Sequence, residues 1–399
     1  MGRTFIIGAG FSKALADTPL VKEFVGPIYN KAFSKELTNA GYRGDLEESF
    51  LRFIEILKES IENGLQFLET DGTKIKNRSG NDLVSSLNIE QIFTLLDLNI
   101  ERPFIPKGDG IDLQGCPIPY IKDFYVFNLK EAKSYLIHQI INRLFPSSLK
   151  INKELCSRFS EYIEPGDVII TFNYDLLIEQ ILWDAKLWSP LDGYLFGKLD
   201  DNIKLNKEST FSSQVPILKI HGSINWQPPS FFENDIVLNI THPMTHEPFF
   251  QGMDYSFRVK PSPRNVILNS FLITPTFMKH YQSKYELFLI KTAIDSISKS
   301  DEIISLGYSF PEADSMTTFI LTQIPEHCTI KIIDIDANNI KEKLVKTYGY
   351  NMDKIINESS SITDWIEGDF RFSSYQKHMS EQKKIDEFLS RLEQIKERT

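Results

Sequence analysis

Cysteine is scarce in this 399-residue chain: Cys116, Cys156 and Cys328 stand far apart, and none belongs to a C-x-x-C pair. Three thiols cannot complete a four-cysteine zinc site within one chain, and their spacing suits a reducing compartment. No apolar run reaches the ~18 residues needed to cross a bilayer. No basic-then-apolar segment precedes Gly8, so neither a membrane span nor a secretion signal is expected. Positive charge is also short, with 44 Lys and Arg against 54 Asp and Glu, a net charge of −10. Nucleic-acid binders carry a basic patch or a high pI, so direct nucleic-acid binding is not expected. Internal repeats and low-complexity tracts are missing too. These absences point to a cytoplasmic globular protein, long enough for two or three domains.

What the chain does have is a set of short β-branched runs. They fall at residues 3–7, "DVIITF" (167–172), "PILKIHG" (216–222), "EIISLG" (302–307) and "TIKIIDID" (329–336). Each is continuous rather than alternating, as in parallel strands covered on both faces. The expected class is α/β, a doubly wound, mostly parallel, Rossmann-like sheet. About 160 residues separate the first two runs, whereas a simple crossover needs only a dozen or so. A helical subdomain is therefore inserted. "DLEESFLRFIEILKESIENG", "NIEQIFTLLDLNIE" and "LKEAKSYLIHQIINRLF" carry apolar residues at helical spacing, with a Gly- and Pro-rich loop at 103–124 between the last two. The expected partition is a core of 1–23 plus 165–350, a helical insertion at 24–164, and a loop-rich second insertion at 223–282 with a candidate strand in "DIVLNIT". A C-terminal extension, 351–399, ends in a charged amphipathic helix.

Polar residues cluster at the carboxyl ends of these strands, the edge where open α/β sheets bind ligands. In "FIIGAGFS", Gly8 permits a tight turn, Gly10 lets the backbone approach a pyrophosphate, and the following helix offers free N–H groups. A structural strand-to-helix corner explains the same residues, because Lys13 replaces the third small residue of the dinucleotide fingerprint. "TFNYD" supplies Thr171, Asn173 and Asp175, which also fit a turn and a helix N-cap. "KIHGSINW" puts His221 beside Gly222 at a strand end, a candidate general base or a structural histidine. "LGYSFPEAD" offers Gly307 and Ser309 to a ribose or phosphate, or else begins a helix, and Asp334 ends the fifth strand as a ribose ligand or a cap.

The order of these motifs resembles the sirtuin family, and more closely its bacterial NAD-hydrolysing branch. The residues that carry the likeness are Gly8-Ala9-Gly10-Phe11-Ser12, Asn173-Tyr174-Asp175 and His221-Gly222. It covers the α/β core, about half of the chain. Sirtuin deacylases also carry a zinc ribbon of two C-x-x-C pairs, which this sequence lacks. The resemblance thus implies water rather than an acyl-lysine as acceptor: an NAD glycohydrolase of anti-phage defence, with NAD as substrate and no zinc or other metal. Asn173 would hold the ribose hydroxyls and the attacking water, and His221 would act as base on a ribose hydroxyl or relay a proton. Asp175 would orient the nicotinamide amide or its loop, Gly8 to Ser12 would cradle the pyrophosphate, and Ser309 and Asp334 would face the adenosine. The branch implies control by self-assembly as a homo-oligomer or by a partner protein such as a HerA-type ring ATPase.

Two other classes stay open. The pocket could hold NAD or ADP-ribose as a signal without turnover, or serve a deacylase or ADP-ribosyltransferase. Glu90 in the helical insertion and Lys279 in "LITPTFMKH" could reach the site, or be a solvated carboxylate and part of a Pro turn. His242 and His246 have a metal-ligand spacing, but Pro243 interrupts the helix it requires and no third ligand is evident.

Overall fold

The computed structural model describes residues 2–20, 23–24, 49–51, 53–54, 57, 87–101, 118–144, 149–195, 212–226, 272–274, 284–311, 315–358 and 360–368. The strands are β1 (Arg3–Ile7), β2 (Val168–Thr171), β3 (Ile217–Lys219), β4 (Glu302–Leu306), β5 (Thr329–Ile333) and β6 (Ile355–Glu358). They form one sheet in the order β3-β2-β1-β4-β5-β6, and every neighbouring pair is parallel. This is the Rossmann strand order, with the direction of winding reversing between β1 and β4. The continuous apolar runs are explained by burial: Phe5, Ile6, Ile7, Ile169, Ile170, Leu218, Ile303 and Ile332 are all enclosed.

Register fixes the working edge. Ile7 pairs with both Thr171 and Leu306, Thr171 pairs with Lys219, and Leu306 pairs with Ile333. The residues that follow these ends (Gly8, Phe172, Ile220, Gly307, Asp334) therefore leave the sheet side by side. β6 lies beyond the expected core boundary at 350, in the segment assigned to the C-terminal extension. Only its first residue, Ile355, is buried and Ile356 is 48% exposed, so it lacks the continuous apolar signal of the inner strands.

Helix α1 (Ala9–Ala16) starts immediately after Gly8 and stops at Asp17, whose φ of 50° is left-handed, one residue before Thr18-Pro19. Helices α2 (Ile89–Glu101) and α3 (Ile118–Leu144) belong to the insertion. The helix begins earlier than the loop expected at 103–124 allows, because Pro119 falls in the first turn, where a missing N–H costs no helical bond. Phe50, Phe53, Ile54, Phe93, Leu96, Leu136 and Ile140 give the insertion its own apolar cluster.

Helix α4 (Lys153–Ser160), inside the expected insertion, instead packs on the main core. Asn152 caps it by accepting from Leu155 N at 3.2 Å, and Phe159 meets the rings of Phe5 and Phe11 at 6.4 and 4.8 Å. Burying one such side chain contributes roughly 1.5–3 kcal/mol. Further helices are α5 (Leu177–Asp184), α6 (Pro190–Gly193), α7 (Lys284–Ile297), α8 (Ser315–Leu321) and α9 (Ala337–Tyr348). "DIVLNIT", Cys116, His242, His246, Lys279 and the C-terminal amphipathic segment lie outside the described residues.

Candidate functional site

The glycine turn after β1 is locked to the end of β4. Gly8 N donates to Leu306 O at 3.0 Å, Gly10 N to Gly307 O at 3.0 Å, and Phe11 N to Gly8 O at 3.1 Å. A Cβ on Gly8 would lie 2.5 Å from Gly307 O, and one on Gly10 would lie 2.8 Å from Gly307 Cα. Gly307 itself has φ +60°, and its Cβ would stand 2.4 Å from Phe11 N. Three glycines thus serve one backbone-to-backbone contact at the switch point. The N–H groups of Gly10 and Phe11, two of those expected to be free at this helix start, are therefore taken. Within the expected cradle, Phe11 is buried against Phe159, Ser12 is buried, and Ala9 is exposed.

Asn173 joins the β2 end to this turn. Its Nδ2 donates to Gly8 O at 2.8 Å and to Ser12 Oγ at 3.1 Å. A carbonyl can only accept, so the amide nitrogen must be the atom facing Gly8 O, and the orientation of the side chain is decided. Both N–H groups are committed, leaving Oδ1 as the acceptor for a ligand hydroxyl or a water. Thr171 sits beneath, fully buried; its hydroxyl donates to Ile7 O and accepts from Asn173 N, each at 3.1 Å. It therefore holds the turn, and its hydroxyl is not presented for direct cofactor contact. Asp175 is likewise buried and accepts from Leu177 N at 3.1 Å, a local turn bond, whereas the N-cap position of the helix beginning at Leu177 is Leu176 and not the Asp175 expected from the sequence.

His221 follows β3, and its ring centroid lies 5.2 Å from Phe172 and 6.4 Å from Tyr174, the two residues flanking Asn173. Gly222 next to it has φ +82°, a left-handed turn that suits glycine. Hydrogen bonds tie the two loops to each other and to Ile273: Ile224 N donates to Tyr174 O at 3.1 Å, Ile273 N to His221 O at 2.9 Å, and the Tyr174 side-chain Oη to Ile273 O at 2.5 Å. Leu176 and Ile224 carry these loops into the apolar cluster of the helical insertion, which thus borders the site.

On the β4 side, Phe172 and Tyr308 stack at 4.6 Å, bridging the β2 and β4 ends across the glycine turn. Ser309 is exposed at the same edge. Asp334 is half-buried at the end of β5 and accepts from Asp336 N at 2.8 Å; burial raises its pKa. The structure therefore gathers Asn173, Ser12 and Gly8 into one hydrogen-bonded group with His221 adjacent, and places Gly307, Ser309 and Asp334 along the same edge. Glu90 lies in the first turn of α2. Among the described residues no group of three or more metal-ligating side chains occurs, and no helix is long and apolar enough to cross a membrane.

Beneath the loops lies an ionic group that the sequence reading missed. Lys219, on β3, is wholly buried and donates to Glu179 Oε1 at 2.8 Å and Asp175 O at 2.5 Å. The signal was present: a lysine inside the apolar run "PILKIHG" must find a buried partner.

Residues 167–327 match the family model of the SIR2-like domain. This part of the chain is similar to the SIR2-like domain. The match runs from β2 to the turn before β5 and takes in Asn173, Asp175, His221, Gly307 and Ser309. The glycine turn and Asp334 fall outside it. Two solved structures show the extent of the wider similarity. A Sir2 homologue mutant in complex with ADP-ribose is 12% identical, covering 95% of this chain and 93% of its own at a TM-score of 0.35. A Sir2 homologue in complex with NAD is 12% identical, covering 93% and 90% at a TM-score of 0.36. Overlays this loose transfer no residue roles. No curated protein matches the chain.

Proposed function

We propose that this protein is an NAD glycohydrolase that cleaves NAD to nicotinamide and ADP-ribose. The observation that carries the proposal is the Asn173 amide, held by Gly8 O and Ser12 Oγ at the switch point of a Rossmann-ordered sheet. A dinucleotide binds across such a crevice, and the fixed amide leaves one oriented acceptor, Oδ1, beside His221. The SIR2-like match over 167–327 supports the choice of NAD.

In the reaction the glycosidic C–N bond breaks and its electron pair passes to the pyridinium nitrogen, so nicotinamide leaves neutral. The ribose carbon left behind is oxocarbenium-like and adds water, which loses a proton. Asn173 Oδ1 accepts a hydrogen bond from the water or a ribose hydroxyl and orients it, and His221 receives the proton. Ser309 and Asp334 contact the adenosine half. The aromatic pair Phe172 and Tyr308 limits water around the reacting carbon.

The defence role, a homo-oligomeric state and control by a partner such as a HerA-type ring ATPase belong to the same proposal and rest on the sirtuin-like resemblance. Nicotinamide release from NAD by the purified chain, measured beside Asn173→Ala, tests it. Release that disappears in the variant supports the reading. NAD binding without release, persisting with candidate partners added, points instead to a sensor.

A further inference from the structure

Between the loops after β2 and β3 runs a chain of buried polar side chains. Lys219 stands two residues before His221, and its ammonium holds the carbonyl of Asp175, two residues after Asn173. One cation on β3 therefore touches the backbone of the loop that carries the oriented amide. The same ammonium donates to Glu179 Oε1 on α5, which also accepts from Tyr194 Oη at 2.9 Å. Tyr194 Oη accepts in turn from Asn225 Nδ2 at 3.4 Å, and Tyr285 Oη donates to Tyr194 O at 3.1 Å. The path thus leaves the Asn173 loop at Asp175 and returns to the far end of the His221 loop at Asn225. Lys219, Glu179 and Tyr194 have no exposed surface, and Asn225 is 3% exposed.

Stability alone does not explain such a group. A buried ion pair is costly to desolvate, and apolar residues of similar volume often stabilise a fold as well or better. Glu179 Oε2 is buried with no hydrogen-bond partner, a further cost that an apolar core would not carry. The geometry accounts for what apolar side chains could not supply. A methyl group cannot hold a carbonyl, so the Asp175 backbone would lose its anchor to β3.

We propose that Lys219 is a positioning residue that fixes the Asn173–Asp175 loop against His221, and that Glu179 holds its ammonium in place. The idea rests on the NAD-hydrolysis reading for its kinetic consequence, but not for its structural one. Lys219 acts through the loop and does not touch substrate, so its loss lowers kcat and leaves KM nearly unchanged. Misplacing a reacting group by about 1 Å can cost on the order of 100-fold in rate.

Three variants separate positioning from packing. Lys219→Met leaves Glu179 unpaired and can misfold. The double variant Lys219→Met with Glu179→Met removes both charges and should fold cooperatively. Lys219→Arg keeps the cation. The expected result for the double variant is wild-type-like unfolding, kcat reduced about 100-fold, KM within about 3-fold of wild type, and partial recovery of kcat in Lys219→Arg. A folded double variant with wild-type kcat overturns the proposal.

Hydrogen exchange in the full-length chain supplies a readout that needs no turnover. The amides of residues 172–176 should exchange faster in the double variant, with those of α5 unchanged. Equal protection of 172–176 in both proteins overturns the proposal as well. If the wild-type chain releases no nicotinamide, the hydrolase reading fails and the exchange comparison still decides the role of Lys219.

Discussion

Replacing Gly307 by alanine puts the glycine lock at the switch point under direct strain. The new Cβ would lie 2.4 Å from Phe11 N, 2.6 Å from Gly10 C and 2.7 Å from Gly10 Cα, all backbone atoms that no rotamer change can move. Ordinary contact begins near 3.4 Å, so the start of α1 must retreat by about 1.0 Å (3.4 − 2.4) from the β4 end. The left-handed φ of +60° adds roughly 1–2 kcal/mol for a residue with a Cβ, and overpacking adds roughly 1–3 kcal/mol. The sum, roughly 2–5 kcal/mol, falls on the segment that carries Gly8 O and Ser12 Oγ, so both bonds of Asn173 shift with it. Gly349→Ala is the matched control: its φ is +73°, but nothing lies within 4 Å of the added Cβ. Urea unfolding should show a clear drop in midpoint for Gly307→Ala and a small one for Gly349→Ala. Nicotinamide release should fall at least 10-fold in the first and hold in the second, because a 1 Å displacement of a positioned group can cost about 100-fold. Equal midpoints and equal activities for the two variants would refute the reasoning.

Other perturbations probe separate parts of the account. Asn173→Asp removes both donors and sets a carboxylate oxygen against Gly8 O, 2.8 Å from the present nitrogen; it should cost roughly 1–3 kcal/mol in denaturant unfolding as well as activity. Burial pushes the Cys156 thiol up to about 12 and Cys328 to about 11. Peptide mapping after treatment with a thiol reagent at neutral pH should therefore find both unlabelled in the native protein and labelled in urea. Burial also raises the pKa of the Asp334 carboxyl. A carboxyl that binds its proton more tightly folded than unfolded adds stability below the ordinary carboxylate range and loses it as pH rises through the raised value. Asp334→Asn should thus raise the Tm at neutral pH, and the gain should vanish near about pH 3, where both side chains are neutral. A gain that persists in acid would contradict that sign.

The inner sheet was legible because parallel strands covered on both faces are mostly apolar and β-branched, and "FIIG", "DVIITF" and "EIISLG" carry such runs despite the buried Thr171 and Ser305. β6 was not legible, because an edge strand with one buried residue out of four has no such requirement. The expectation of a helical insertion rests on length and helical spacing, since no simple crossover needs about 160 residues. The insertion's expected downstream limit, residue 164, did not foresee α4, whose apolar face fits either core and whose assignment depends on Phe159 meeting Phe5 and Phe11. At the site, sequence order placed Gly8, Asn173, His221, Gly307 and Asp334 on one edge, because strand ends in a parallel sheet share that edge. It could not say that the glycines pack on one another, or that Thr171 and Asp175 turn their polar atoms inward. The glycine and Thr171 contacts join segments about 160 to 300 residues apart, and the Asp175 turn closes locally on Leu177 N. The Lys219–Glu179 pair joins residues 40 apart, and a lysine in an apolar run names the need for a partner without naming the partner.

The most direct measurement is nicotinamide release from NAD by the purified chain, alone and with candidate partners, beside Asn173→Ala and His221→Ala. The account predicts release that both variants abolish while NAD binding, read by thermal shift, survives. Release undiminished in Asn173→Ala would contradict it, because the oriented amide would then have no part in the chemistry.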